Sequence, residues 1–227
     1  MANYLIIGSS SGIGAALSEA LAKAGHQVIG ISRNNKNNLP QHFCFDVTSD
    51  EVLPPINQVI DGLVYCPGSI VLKPFRALKE PDFLQDFKLN VVSAVKIIQA
   101  YLPNLQQSET PSIVLFSTVA VQTGMPFHAS VAASKGAIEG LTRSLAAEFA
   151  PKIRVNCIAP SLTDTPLAAR LLDSETKITS AKERHPLKKI ASADEIAKMA
   201  LFLLSESAGF MTGQIIKMDG GISSIKS

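Results

Sequence analysis

Several classes of function are excluded by what this chain lacks. Its 227 residues carry a formal net charge of only +2, and no basic run is longer than Lys188-Lys189. Nothing in it matches the cationic stripe of a nucleic-acid binder. The three cysteines, Cys44, Cys66 and Cys157, fall in separate apolar runs without metal-ligand spacing. They read as buried small hydrophobes in a reducing compartment. No apolar run approaches the roughly 20 residues that span a bilayer, and glycines interrupt the first one too early for an export signal. The expectation is a cytoplasmic protein with no metal, no nucleic-acid partner and no membrane partner. No repeat or low-complexity linker divides the chain, and 46% of it is hydrophobic, enough for one large core. Residues 1–227 are therefore read as a single domain.

What is present is organised around Ile7-Gly8-Ser9-Ser10-Ser11-Gly12-Ile13-Gly14. An apolar strand, Tyr4-Leu5-Ile6-Ile7, stops at glycine and turns at once into a helical pattern over 15–24, closed by Gly25. Free backbone N–H groups at such a helix start, with the helix dipole, favour a phosphate. Gly8 permits the turn, while Gly12 and Gly14 allow a pyrophosphate and the neighbouring strand to approach the backbone.

Further strands are expected at 26–32, 43–45, 63–66, 113–116, 155–159 and 214–218. Helices are expected over 81–102, 130–149 and 195–205, with a short or irregular one over 49–60 because of Pro54-Pro55. The polar, weakly periodic stretch 161–190 reads as a mobile flap with a helix or two inside it. Alternating strands and helices predict an α/β fold: a Rossmann-type, doubly wound parallel sheet of about seven strands with helices on both faces.

Along nearly its whole length the chain resembles the short-chain dehydrogenase/reductase family. The matches are the Gly8/Gly12/Gly14 turn, Asp46-Val47, Asn90 in Leu89-Asn90-Val91, Arg154-Val155-Asn156 before Ala159-Pro160, and Thr212-Gly213-Gln214 before Asp219-Gly220-Gly221. There are departures. Ile7 stands where Thr is usual and Ser161 where Gly is usual, and Tyr65-Cys66-Pro67-Gly68 replaces an Asn-Asn-Ala-Gly motif. The resemblance assigns the cofactor to Gly8, Ser10, Ser11, Gly12, Ile13, Gly14, Asp46, Val47, Pro67, Gly68, Lys135, Pro160, Thr163 and Thr165. After the second strand stands Ser32-Arg33, with no acid between Val28 and Phe45. A guanidinium there suits a 2′-phosphate, which a carboxylate would repel, so NADP(H) is expected over NAD(H).

The family's Tyr-x-x-x-Lys reads here as Val131-Ala132-Ala133-Ser134-Lys135. Valine cannot donate a proton. The resemblance leaves Lys135, Thr118 (in the place of a substrate-orienting Ser) and Asn90 as candidate catalytic residues. His128, seven residues before Lys135, is the candidate replacement acid; Tyr65 is a weaker one. Two functions stay open. One is an NADP(H)-dependent oxidoreductase acting on a small carbonyl compound or activated alkene with a non-standard proton donor. The other is a catalytically inactive NADP(H)-binding sensor or partner subunit. The resemblance also implies a homodimer or homotetramer, built through the helices at 81–102 and 130–149 and the last strand.

Overall fold

The computed structural model describes residues 1–225. A seven-stranded parallel sheet runs through it: β1 (Asn3–Ile7), β2 (Gln27–Ser32), β3 (Gln41–Cys44), β4 (Gly62–Tyr65), β5 (Ser112–Phe116), β6 (Arg154–Pro160) and a last strand, Ile215–Met218. Their spatial order is β3-β2-β1-β4-β5-β6 and then the last strand. The chain winds outward from β1 in one direction, then returns to β4 and winds in the other. Between the carboxyl ends of β1 and β4 this leaves a crevice, the topological switch point at which such sheets bind ligands.

Alternation along the strands builds two cores. Leu5 and Ile7 of β1, with Leu63, Ile113 and Val155, pack on one face against Ile97, Leu105 and Ile138. Tyr4 and Ile6, with Val64, Val114 and Ile158, pack on the other against Leu17, Leu21, Ile196 and Leu203. The first face is covered by α3 (Ser93–Gln106) and α5 (Ala129–Phe149), the second by α1 (Gly12–Lys23) and α7 (Ala193–Leu204). Two shorter helices, α2 (Glu80–Phe87) and α4 (Ala120–Thr123), precede α3 and α5 respectively.

Four local expectations are corrected. Helix α1 starts at Gly12, earlier than residue 15. Residues 49–60 hold no helix. The paired prolines remove amide donors, and side chains of α3 bind the segment instead: Tyr101 Oη donates to Pro54 O at 2.8 Å, and Asn104 Nδ2 to Ile56 O at 2.8 Å. The helix expected over 81–102 is α2 and α3 joined by a π-helical turn, Lys88–Val92. There Ser93 N–H reaches back to Lys88 O, and Ser93 Oγ donates to the same oxygen at 2.9 Å. Cys44 is exposed, whereas Cys157 is buried.

The flap stretch has structure. It contains a two-residue strand β7 (Thr163–Asp164), a 3-10 turn (Pro166–Leu171) and α6 (Glu175–Arg184). It returns at β8 (Ala191–Ser192), which pairs in parallel with β7. The last strand, Ile215–Met218, is thus β9. The β7–β8 pair ties the two ends of the flap together at its neck. Helix α7 begins directly after β8 with a capping box: Ser192 Oγ accepts from Glu195 N, and Glu195 Oε2 from Ser192 N. Its last turn is closed by Arg154, whose guanidinium donates to Leu203 O, Ser205 O and Ala208 O. Among the described residues no helix is long and apolar enough to cross a membrane, and no group of three or more His, Cys, Asp or Glu is placed to hold a metal ion.

Candidate active site

The glycine turn sits at the switch point. Gly8 has φ +79°, and a Cβ there would lie 3.3 Å from Pro67 at the end of β4. At Gly14 an added Cβ would lie 2.2 Å from Gly8 O, so the first helical turn rests directly on the loop before it. The close approach that sequence reasoning gave to a neighbouring strand is made mainly by the loop's own carbonyl. Ser11, the N-cap, has extended backbone and makes no side-chain capping bond. The amides of the first turn therefore keep their donor capacity for an anion. A Cβ at Gly12 would touch Thr165, at 3.4 Å, so the turn also faces the start of the flap. These features would suit the pyrophosphate of a dinucleotide, and Thr165 faces the turn from the flap.

Arg33 follows β2, exposed, at the edge where an adenosine would extend. Asp46, beyond β3, is exposed and accepts from both Thr48 N (2.8 Å) and Thr48 Oγ1 (2.7 Å). Those hydrogen bonds, with a smaller contribution from Arg33, hold its carboxyl below the usual range. The neighbouring Val47 is buried.

At the other end of the crevice a cavity of about 610 Å³ opens between β4, β5, β6 and the flap. Its walls bring together Ile13, Gly68, Thr118, His128, Lys135, Pro160, Thr163 and Thr165. Gly8, Ser10, Ser11, Gly14, Arg33, Asp46, Val47, Pro67 and Asn90 lie outside it. Helix α5 carries the centre of the site, because His128, its N-cap, and Val131 and Lys135 share one face at spacings of three and four. Lys135 is 7% exposed, and its Nζ donates to Phe116 O at 2.9 Å. Burial lowers its pKa from the ordinary 10.5 to about 8. Val131, 6% exposed, forms wall between His128 and Lys135. Thr118 Oγ1 accepts from Ala120 N at 3.3 Å. The neighbouring Ser117 is turned into the protein, donating to Glu139 Oε1 at 2.8 Å. His128 Nδ1 lies 2.7 Å from Pro126 O and must donate to that carbonyl, which leaves Nε2 as the nitrogen available to a substrate.

Two sequence-level ideas change. Tyr65 is buried, its Oη donates to Leu89 O at 2.6 Å, and burial raises its pKa; it holds the π-turn and does not line the cavity. Asn90 bonds its helix directly, without a water, through Nδ2 to Asp86 O at 2.9 Å. The same amide reaches Ser69 Oγ and Ser134 Oγ. Its Oδ1 is buried without a partner among the described residues, and lies 3.5 Å from the position a Cβ on Gly68 would take. Lys135 Nζ is 3.4 Å from that same position. A side chain at Gly68 would fill the space between them.

Sequence reading missed two groups. Asp86, 2% exposed, accepts from Ser69 Oγ and Ser130 Oγ, each at 2.5 Å, beneath the cavity wall. His185, 3% exposed, ends α6: Nδ1 donates to Ala181 O at 2.7 Å, and Nε2 meets Ser161 Oγ at 2.8 Å. A serine at 161 in place of the expected glycine was the one visible hint of the second pair.

A family model described as "Enoyl-(Acyl carrier protein) reductase" matches residues 7–223. A 3-oxoacyl-[acyl-carrier-protein] reductase of Thermotoga maritima is 31% identical over 238 residues, covering 96% of each chain. Among solved structures, the ligand-free aldohexose dehydrogenase of Thermoplasma acidophilum superposes with a TM-score of 0.89 at 27% identity, covering 100% of this chain and 96% of that one. ElxO with NADP bound gives 0.86 at 26% identity, covering 99% of both. The phosphate turn, the doubly wound sheet and these matches have one meaning: the chain belongs to the short-chain dehydrogenase/reductase family of oxidoreductases.

Proposed function

We propose that this protein is a single-domain NADP(H)-dependent oxidoreductase that reduces a small carbonyl compound or activated alkene, with His128 rather than a tyrosine supplying the proton. The observation that carries this reading is the placement of His128, Thr118 and Lys135 around one cavity that reaches the glycine turn. When bound, the nicotinamide supplies the hydride. The protein's residues do the rest. Lys135 offers N–H groups to the nicotinamide ribose, Thr118 offers its hydroxyl to the substrate oxygen, and the flap over 161–190 closes to exclude water. Protonated His128 carries a proton on Nε2. Giving that proton to the substrate leaves the neutral tautomer with hydrogen on Nδ1, the form that Pro126 O already stabilises.

The test begins with calorimetric titrations of NADPH and NADH, beside an absorbance screen of NADPH oxidation against ketones, quinones and enoyl thioesters. His128→Ala is expected to lower kcat by about 10²-fold to 10⁴-fold while NADPH affinity is unchanged; undiminished turnover would remove His128 from the mechanism. Arg33→Ala is expected to weaken NADPH about tenfold or more and to leave NADH alone, since the lost contact is a charge-assisted bond to the 2′-phosphate. Equal losses for both cofactors would assign Arg33 a structural role.

The sensor reading is favoured by one observation, the apolar Val131 surface where the family's phenol is expected. Selective NADPH binding with no turnover of any substrate class would support it. A homodimer or homotetramer is supported by Leu84, Phe87 and Val92, which are 59%, 44% and 50% exposed on α2 and the turn after it. Replacing Leu84 and Phe87 together by Glu is expected to halve the mass seen by light scattering.

A further inference from the structure

The walls of the cavity are unbalanced in charge. Among the described residues lining it there is no Asp or Glu, while Lys135, Lys177 and Arg184 supply three cations. Lys135 belongs to the chemistry described above. Lys177 is already paired, with Asp173 at 2.8 Å and with Arg170 O at 3.1 Å. Arg184 forms no ion pair or side-chain hydrogen bond with any described residue. Its side chain is exposed, and its backbone is held in place at the rim of the cavity by the next residue, His185, which is buried and anchored to Ser161 at the end of β6. Along α6, Thr176, Ser180 and Arg184 recur every four residues and all three face the cavity. They form a line of two hydroxyls ending in a guanidinium. Other walls of the cavity are apolar, including Ile70, Leu72 and Met125.

From this arrangement we infer that the substrate is an oxo acid: an apolar body whose carboxylate is held by Arg184, with Ser180 and Thr176 alongside. This rests on the oxidoreductase reading and adds the substrate's chemical class. A planar guanidinium matches a carboxylate bidentately. Phosphate monoesters carry nearly two charges, and one unpaired cation on this wall suits a singly charged group better. The absence of lining carboxylates removes the repulsion that would otherwise oppose an acid.

The experiment reads equilibrium binding, so it does not depend on turnover. The probes are benzoylformate and levulinate, each beside its methyl ester, titrated into the protein saturated with NADP⁺. The acids are expected to bind at least tenfold more tightly than the esters. Arg184→Gln should weaken the acids about 10-fold to 100-fold, the loss of a charge-assisted contact, with the esters unmoved. Arg184→Lys should recover part of the loss. Raising the salt should weaken acid binding to the wild type and not to Arg184→Gln. The proposal is overturned if acids and esters bind alike, if Arg184→Gln weakens both equally, or if it weakens NADPH itself, which would assign Arg184 to the cofactor. Acid-selective binding without NADPH oxidation would sustain the oxo-acid site while sinking the catalytic reading.

Discussion

Lys135→Met is expected to lower kcat/KM on any accepted substrate by about 10³-fold, within the range for loss of a group that acts on the reacting centre. It is also expected to stabilise the cofactor-free protein at neutral pH. Both effects have one cause, burial of the ammonium group. Folding moves the pKa of Lys135 from 10.5 down to about 8. Between those values the unfolded chain binds more protons than the folded one, so stability attributable to this residue rises with pH. Below about pH 8 the full penalty of burying the charge is present; above about 10.5 it is gone. The difference amounts to about 3 kcal/mol at most. Urea unfolding of both proteins from pH 7 to pH 10 measures it. The wild type should gain on Lys135→Met as pH rises, and parallel curves would show that the lysine is charged and solvated in the folded state. Subtracting the mutant curve removes groups common to both, such as the buried Tyr65 phenol, whose raised pKa acts in the opposite direction.

Gly14→Ala is expected to cost more than any other single methyl group in the site. The new carbon would sit 2.2 Å from Gly8 O and 2.9 Å from Gly8 C. Neither is a flexible side-chain end. Helix α1 must move away from the turn, at about 1–3 kcal/mol or more for an overpacked contact. For a protein of this size that lowers Tm by roughly 2–12 °C. It also displaces the amides that would hold the pyrophosphate, so NADPH binding should fall by at least about tenfold. Gly140→Ala, in α5 with nothing within 4 Å of the added carbon, is the matching control. It should hold or raise Tm, since alanine is the better helix former by about 1 kcal/mol. A Gly14→Ala protein with unchanged Tm and NADPH affinity would show that the turn has slack.

The parallel sheet was legible because its strands are short apolar runs ended by Gly or Pro, as at Ile7-Gly8 and Ala159-Pro160. Spacing within one element carried the glycine turn and the face shared by His128, Val131 and Lys135, whereas Thr118, Asn90, Asp46 and the other cofactor positions were legible only through resemblance to the family. What escaped notice depends on contacts between segments far apart in sequence. Asp86 and Ser130 meet across 44 residues, and Ser161 and His185 across 24. No periodicity links them. The π-turn was hidden for a different reason, since five-residue hydrogen bonding leaves an apolar pattern that still looks helical. Pro54-Pro55 did warn of irregularity at 49–60, but their side of the segment is held by Tyr101 and Asn104, which belong to another helix.

That π-turn lets one more residue into the helix without turning either half. An α-helix advances by 100° per residue, whereas a π-turn closes its hydrogen bonds over five residues instead of four and spreads the surplus residue over one wider turn. Asp86 therefore still points inward to Ser69 and Ser130, with Leu84 and Phe87 outward. Deleting one residue from the turn would close it into ordinary α-helix and leave α2 facing as it does. What the deletion would disturb is the wide turn itself, which carries Lys88 O, Leu89 O and Asn90 to their partners Ser93, Tyr65 and Ser134. The surplus residue is housed in the bonds of those five residues, not in the orientation of the helices on either side.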